Sequence, residues 1–297
     1  MPGIVGLLGF TVYPVLMSLY YSFCNYSVLK SPKWVGLQNY HVLANDSQLR
    51  VALGNTVVFG LMSIPLGILT AFLLANLLNQ KVRGMPIFRT IFYLPSVVPA
   101  VAGAVLWIWV LNPQFGILNV GLQKLGFFWP QLLDHHHIAF HWIRLIPNPP
   151  GWLSDPAWSK PALAIMGMWG VGGWMVIFLA GLQDVPRELH EAAQLDGASA
   201  FQAWRHVSLP FMSPHLFFAS VMGLIGVSSY FAQPMVMTGG GPADSTLFYA
   251  QYLFMNAFQW FKMGYACAMA WSLAIVLMIL TWLVFRSSSK YVYYAGE

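Results

Sequence analysis

Residues 51–79 read VALGNTVVFGLMSIPLGILTAFLLANLLN, without a single Asp, Glu, Lys or Arg. A helix rises 1.5 Å per residue, so about 20 mainly apolar residues cross the ~30 Å hydrocarbon core of a bilayer. The stretch is apolar all round, whereas a surface helix of a water-soluble protein keeps its apolar residues to one stripe. Its interspersed Gly, Ser and Thr are the small residues that let helices approach closely in lipid. The segment predicts a transmembrane helix.

Five further windows have the same character, at 3–24, 90–111, 161–181, 214–237 and 264–285. None of the 14 Lys and Arg or 9 Asp and Glu residues falls inside any of the windows. Only 8% of the chain is charged and 58% is hydrophobic, against roughly 25% charged in soluble domains. The expected fold is an all-α polytopic membrane protein with six transmembrane helices in one domain, 1–297. The chain opens in the apolar run Pro2-Gly3-Ile4-Val5, with no basic front end or small-residue cleavage site. It is expected to keep this first span.

The formal charge of +5 does not point to nucleic acid, because the basic residues are scattered and none sits in a basic stretch interleaved with aromatics. Cys24 and Cys267 lie in apolar segments without metal-ligand spacing and read as small packing residues. Loops 80–89 and 182–213 and the tail 286–297 carry Lys81, Arg83, Arg89, Arg187, Arg205, Arg286 and Lys290. The opposite loops, 25–50, 112–160 and 238–263, hold the same number over a longer stretch. Basic density therefore places the first set, and both termini, on the cytoplasmic side. The loop 112–160 is dense in breakers, from Asn112-Pro113 to Pro149-Pro150-Gly151 and Asp155-Pro156, and predicts an irregular external segment.

Between the fourth and fifth windows runs Asp184-Val185-Pro186-Arg187-Glu188-Leu189-His190-Glu191-Ala192-Ala193-Gln194-Leu195-Asp196-Gly197-Ala198-Ser199, and then Val207-Ser208-Leu209-Pro210. It predicts two short helices with a sharp bend between them. Pro186 suits a first helical turn, and Glu188 complements its positive end. Gly197 suits a left-handed stop, Ser199 with Gln202 matches a capping box, and Pro210 is expected to end the second helix. Ala192 and Ala193 have little side-chain bulk, so the first helix can enter a groove like a knuckle. From the residues alone, an ordinary capped connector reads equally well.

The pattern Glu191-Ala192-Ala193, with Gly197 four residues on, then Val207 and Leu209-Pro210, resembles the EAA loop of binding-protein-dependent ABC importer permeases. Val207, where that family more often has Ile, is the one departure. The resemblance implies that the loop is a coupling helix seated in a separate ATP-hydrolysing subunit, with Glu188, Glu191, Ala192, Ala193, Asp196, Gly197, Leu209 and Pro210 at or beside that contact. Further stretches are similar to the sugar permeases of this family: Tyr13-Pro14, Trp34-Val35-Gly36-Leu37-Gln38-Asn39-Tyr40, Thr90-Ile91-Phe92-Tyr93-Leu94-Pro95, Trp152-Leu153-Ser154-Asp155-Pro156, Gly181-Leu182-Gln183 and Thr238-Gly239-Gly240-Gly241-Pro242. The implied role is the inner-membrane permease subunit of a type I ABC importer for a sugar or sugar-like solute. The implied partners are a second related permease, two copies of an ATP-binding subunit, an extracytoplasmic solute-binding protein and membrane lipid.

No phosphate-cradling Gly-rich loop ending in Lys-Ser or Lys-Thr occurs, so ATP and its Mg belong to the partner ATPase and this chain is expected to carry no cofactor and to be no enzyme itself. Within the bundle, Gly170, Gly173 and Trp174, and Ser229, Tyr230 and Gln233, are candidates for a sugar path, since rings stack on C–H faces and hydroxyl or amide groups bond to sugar hydroxyls. Gly170, Gly173 and Tyr230 also resemble sites lining the sugar pocket of the maltose permease. Interface anchoring by the aromatics and helix packing by the glycines are the competing readings. Residues from about 126 to 148 look inserted relative to that family and carry His135, His136, His137 and His141. His137 and His141 share a helical face, but beyond Asp134 no carboxylate shell accompanies them, and no metal site is expected. A secondary transporter would want an intramembrane carboxylate or basic relay, and a membrane enzyme a polar catalytic group within a span. The charge-free windows offer neither.

Overall fold

The computed structural model describes residues 2–80, 82–124 and 150–288. The apparent insertion with its histidines, and the end of the tail, lie outside the described residues. Three helices are long and apolar enough to span a bilayer unbroken: Gly3–Ser22, Ser47–Leu78 and Met263–Ser287. Three more spans are bent pairs: Met85–Val97 with Ala100–Val110 at 101°, Pro156–Trp169 with Gly172–Gln183 at 51°, and Ala200–Phe211 with Ser213–Ser228 at 59°. Together they make a six-span, all-helical membrane protein, whose strands among the described residues are the two-residue pair Cys24–Asn25 and Lys33–Trp34.

The bends sit at breakers. Pro95 lies in the last, 3-10 turn of the first pair, and Val98 and Pro99 are extended. Proline donates no N–H and pushes its predecessor out of the helical region. Gly170 closes the helix Pro156–Trp169, and Gly172 opens its continuation. A Cβ on Gly172 would lie 2.5 Å from the Phe92 carbonyl oxygen and 2.8 Å from Tyr93 Cα, so glycine lets the two bent spans meet backbone to backbone. The expected window 214–237 is not one helix. It breaks at Ser229–Phe231, and Ala232–Met237 is a separate short helix.

The helix Ser47–Leu78 is the spine, packed by both halves of the fourth span and by Ser213–Ser228. Ala71 and Ala75 are fully buried beside Met175 and Phe178, small residues giving the neighbouring helix close approach. Outward, Phe10, Leu61 and Trp109 are 88%, 74% and 72% exposed. Rings and alkyl chains so exposed suit hydrocarbon, not water.

The spine also orders the two ends of the bundle. Near its start, Gln48 Nε2 donates to Asp244 Oδ2 at 2.8 Å and Asn55 Nδ2 donates to the Asp244 and Leu247 carbonyls. Near its end, Asn76 Oδ1 accepts from Trp204 Nε1 at 2.9 Å, and the Arg89 guanidinium donates to the Leu78 carbonyl at 2.9 Å. That cation stands at the negative end of the helix dipole. With its 32 residues, the spine is about 48 Å long, so Asp244 and the helix containing Trp204 lie at opposite ends.

Candidate functional site

The helix Arg187–Leu195 projects from the Trp204 end, with Glu188 in its first turn. Pro186 is the N-cap, extended at ψ 133°, and not a residue of the first turn as expected. At the other end Gly197 is left-handed, φ +78°. The Ala198 N–H donates to the Ala193 carbonyl at 2.9 Å and the Gly197 N–H to Gln194 at 3.0 Å. These paired bonds form a Schellman motif, closing carbonyls the helix end would leave open. Ser199 then caps the next helix, accepting from the Gln202 N–H while its own N–H donates to Gln202 Oε1. Through Asp196–Ser199 each backbone N–H thus finds a local acceptor.

Glu188, Glu191, Ala192, Asp196 and Gly197 are exposed and Ala193 is half-buried, so this short helix presents itself outward. Leu195 is 89% exposed beside them, an apolar feature that sequence reasoning passed over. The second helix ends at Phe211, one residue past Pro210, before the 59° bend into Ser213–Ser228. Helix runs on from Ala200 to Phe211, and a π turn over Trp204–Ser208 lets the Leu209 N–H reach the Trp204 carbonyl just before the residue that lacks a donor. Leu209 packs against the buried cluster of Phe72, Phe178 and Met212. The loop's two roots also touch: a Cβ on Gly181 would come 2.8 Å from the His215 ring. The fourth and fifth spans thus pack together at the roots of this loop.

Deeper in the bundle are two cavities. One, of about 360 Å3, lies between the Pro95–Pro99 break, Met166 to Gly170, Tyr230 and Gln233. The other, of about 380 Å3, lies between the spine from Phe59 to Ile68, Leu163 to Trp174, and Ala219 to Tyr230. Gly167, Gly170 and Tyr230 border both. The structure thus brings Gly170, Trp174, Tyr230 and Gln233 together. Gly173 and Ser229 line neither cavity, and Ser229 Oγ bonds back to the Ile225 carbonyl at 3.3 Å.

The Tyr230 ring stacks on Phe59 at 4.8 Å and meets Phe248 edge-on at 5.7 Å. Among the described residues no charged side chain lines either cavity. Rings, small hydroxyls and one carboxamide suit a neutral solute better than an ion. Sequence reasoning missed Phe59, Ser63, Ser96 and Trp169. The spacing Pro95 to Pro99, and Gly167, Gly170 and Gly173 at every third position, are the signals that could have marked this region. Among the described residues no group of three or more His, Cys, Asp or Glu is placed to hold a metal.

At the opposite end, Asp46 caps the spine. Its Oδ1 accepts from the Gln48 and Leu49 N–H groups, and its Oδ2 from the Tyr252 and Tyr265 hydroxyls at 2.7 and 2.6 Å. Burial raises the carboxyl pKa, but the four hydrogen bonds together outweigh it and hold the group below the usual carboxylate range. Burial, and then the bond to Asp46, push the Tyr252 phenol up to about 12.

Comparison with known proteins finds a match over residues 63–291 to the family described as binding-protein-dependent transport system inner membrane component. A probable ABC transporter permease protein, YesP of Bacillus subtilis (strain 168), is 35% identical over 100% of this chain and 91% of its own length. The lactose transport system permease protein LacF of Rhizobium radiobacter is 30% identical over 97% of this chain and 92% of its own. A crystal structure of a bacterial ABC transporter involved in the import of the acidic polysaccharide alginate superposes with a TM-score of 0.80 at 22% identity, covering 98% of this chain and 93% of that one. That likeness shows the fold.

Proposed function

The chain belongs to the family of binding-protein-dependent transport system inner membrane components, and on that premise we propose that it is the permease of an ATP-driven sugar importer, carrying a sugar, oligosaccharide or sugar-like solute inward. The observation that carries the coupling half of this reading is the projecting helix Arg187–Leu195, closed by its Schellman turn and tied at both roots to bent spans. In this reading Glu188, Glu191, Ala192, Ala193, Asp196 and Gly197 contact the cytoplasmic ATPase, and Leu209 and Pro210 carry its closure into the fifth span. ATP and Mg stay on that partner.

The carbohydrate half rests on the uncharged, ring-lined cavities and on the lactose permease among the relatives. Gly170, Trp174, Tyr230 and Gln233 form the solute path. Gly173 and Ser229 would join it only on rearrangement. Six spans supply half of an enclosed pathway, which a second, related permease completes. Two ATPase copies drive it and an extracytoplasmic binding protein delivers the solute. The helices Gly3–Ser22 and Met263–Ser287 then put both termini on the cytoplasmic face, as the 5.0 Å approach of Phe285 to Phe217, close to the start of Ser213–Ser228, supports.

The test is reconstitution of the complex with its binding protein in proteoliposomes, measuring ATP-driven uptake of labelled mono-, di- and trisaccharides alongside amino acids and oligopeptides. Uptake of a saccharide supports the reading. Uptake confined to amino acids or peptides overturns the substrate class, and uptake independent of ATP overturns the mechanism.

A further inference from the structure

A third cavity, of about 470 Å3, lies at the Asp46 end of the bundle, away from the projecting helix. Neither coupling nor the midplane path accounts for it. The Trp34–Tyr40 segment, likewise without a role so far, builds one wall. Asn39 donates both amide hydrogens, to the Ser22 and Cys24 carbonyls at 2.8 and 2.9 Å, so its position is fixed and its Oδ1 has no donor among the described residues. The turn 256–262 forms the other wall, held by the Trp260 N–H on the Met255 carbonyl and the Lys262 N–H on the Asn256 carbonyl. At the mouth, Trp260 and Phe261 are 45% and 46% exposed. Phe261 has φ +52°, a left-handed backbone that a residue with a Cβ rarely adopts. Such outliers gather where a ligand is held.

The polar groups narrow the ligand. Asp46 lines the cavity, yet its oxygens already accept four hydrogen bonds, which fills a carboxylate's four lone-pair sites. It has nothing left for a cation. Lys262 Nζ lies 5.8 Å over the Trp260 ring. Tyr252 also meets the Trp260 ring edge-on at 5.8 Å. What stays exposed at the mouth is the rest of the Trp260 ring and Phe261, with the carboxamides of Asn25 and Gln38 beside Asn39 Oδ1. Rings for C–H faces and neutral amides for hydroxyls are the recognition chemistry of a saccharide. The volume falls within the 300–1,000 Å3 of small-ligand sites.

We propose that this cavity is an outer saccharide site, with Trp260 and Phe261 stacking on the sugar and Asn25, Gln38 and Asn39 taking its hydroxyls. It would hold solute on the outer face before the midplane cavities open. The proposal rests on the carbohydrate reading above.

The test uses the assembled complex in lipid nanodiscs, with saturation-transfer NMR to lactose, maltose and raffinose. Transfer to the ring protons of at least one saccharide is expected, with binding weakened about tenfold in Trp260→Ala. Phe261→Gly should weaken it similarly, and this variant relieves the positive φ and so folds. Lys262→Met, which removes the cation over the Trp260 ring, should not abolish transfer. The proposal is overturned if no saccharide shows transfer, if transfer survives both ring variants, or if it is lost only in Lys262→Met, which would place the contact on the ammonium and not on the rings. It is also overturned if the ring variants weaken only docking of the binding protein, which would make the cavity a partner's seat. ATP-driven uptake by the same complex reads the carbohydrate assignment separately. Uptake that persists without ring-dependent transfer removes the outer site alone.

Discussion

Replacing Gly197 by Val tests the coupling assignment where its geometry is best defined. Gly197 has φ +78°, and its N–H and that of Ala198 close the helix on Gln194 and Ala193. A Cβ there meets nothing within 4 Å of this chain. Inside the subunit the cost is therefore backbone strain alone, about 1–2 kcal/mol for a residue with a Cβ. A local penalty of that size frays the last turn and leaves the spans untouched. If the helix seats in the ATPase as proposed, the added volume would meet a close-fitting groove, where overpacking costs another ~1–3 kcal/mol.

Gly197→Val should therefore insert and pair normally yet lose solute-stimulated ATP hydrolysis in the purified complex. Gly197→Asn is the control, since Asn tolerates the left-handed region, and it should keep a substantial fraction of the activity. The assay is ATPase rate with and without loaded binding protein, alongside gel filtration of the complex. Wild-type stimulation and uptake in Gly197→Val would refute the reasoning and, with it, the assignment of this loop as the coupling element.

Gly172→Val, whose Cβ would lie 2.5 Å from the Phe92 carbonyl oxygen, should lower the thermal unfolding midpoint in detergent by the equivalent of at least ~1–3 kcal/mol. Gly173→Ala, with open space at that position, should not shift it. Asp46 contributes stability that is present above the ordinary carboxylate pKa and lost as pH falls through its depressed folded value, because a lowered pKa means the native state favours the charge. Asp46→Asn should keep the cap but flatten that acid dependence, and Asp46→Ala should cost a further ~1 kcal/mol, both read from melts across pH 3–7. Cysteines placed at 191 and 244 should label from opposite faces of sealed vesicles, and labelling from one face would undo the assigned orientation. His135, His136 and His137 replaced together by Ala should leave uptake nearly unchanged, whereas a loss repaired by added zinc would restore the metal reading.

How much of this was legible in the chain follows from what each signal measures. A charge-free window reports the solvent around a segment, and lipid demands a closed backbone within it, so the six windows led directly to six spans. The same window is silent about the path the backbone takes. Arg89 and Lys160 lie outside the windows at 90–111 and 161–181 but inside the helices, because a long cation at a span's end can reach a carbonyl or the headgroups. Pro210 marked the end of its helix to within one residue. A proline removes one donor, a π turn upstream takes up the shift, and the helix stops at Phe211. Gly197 and the Ser199–Gln202 box were readable because caps depend on four or five neighbouring residues and little else.

The candidate path was half legible, and its geometry explains which half. Successive residues of a helix point about 100° apart, so one apolar window holds cavity-facing and outward-facing positions in alternation, and composition cannot sort them. Gly170 and Tyr230 border both cavities while Gly173 and Ser229, three and one residues away, line neither. Asp46 went unseen because its role depends on Tyr252 and Tyr265, over 200 positions away in the chain. Such a network leaves no periodic trace. It does leave a local one: an Asp immediately before a long apolar helix is a capping residue.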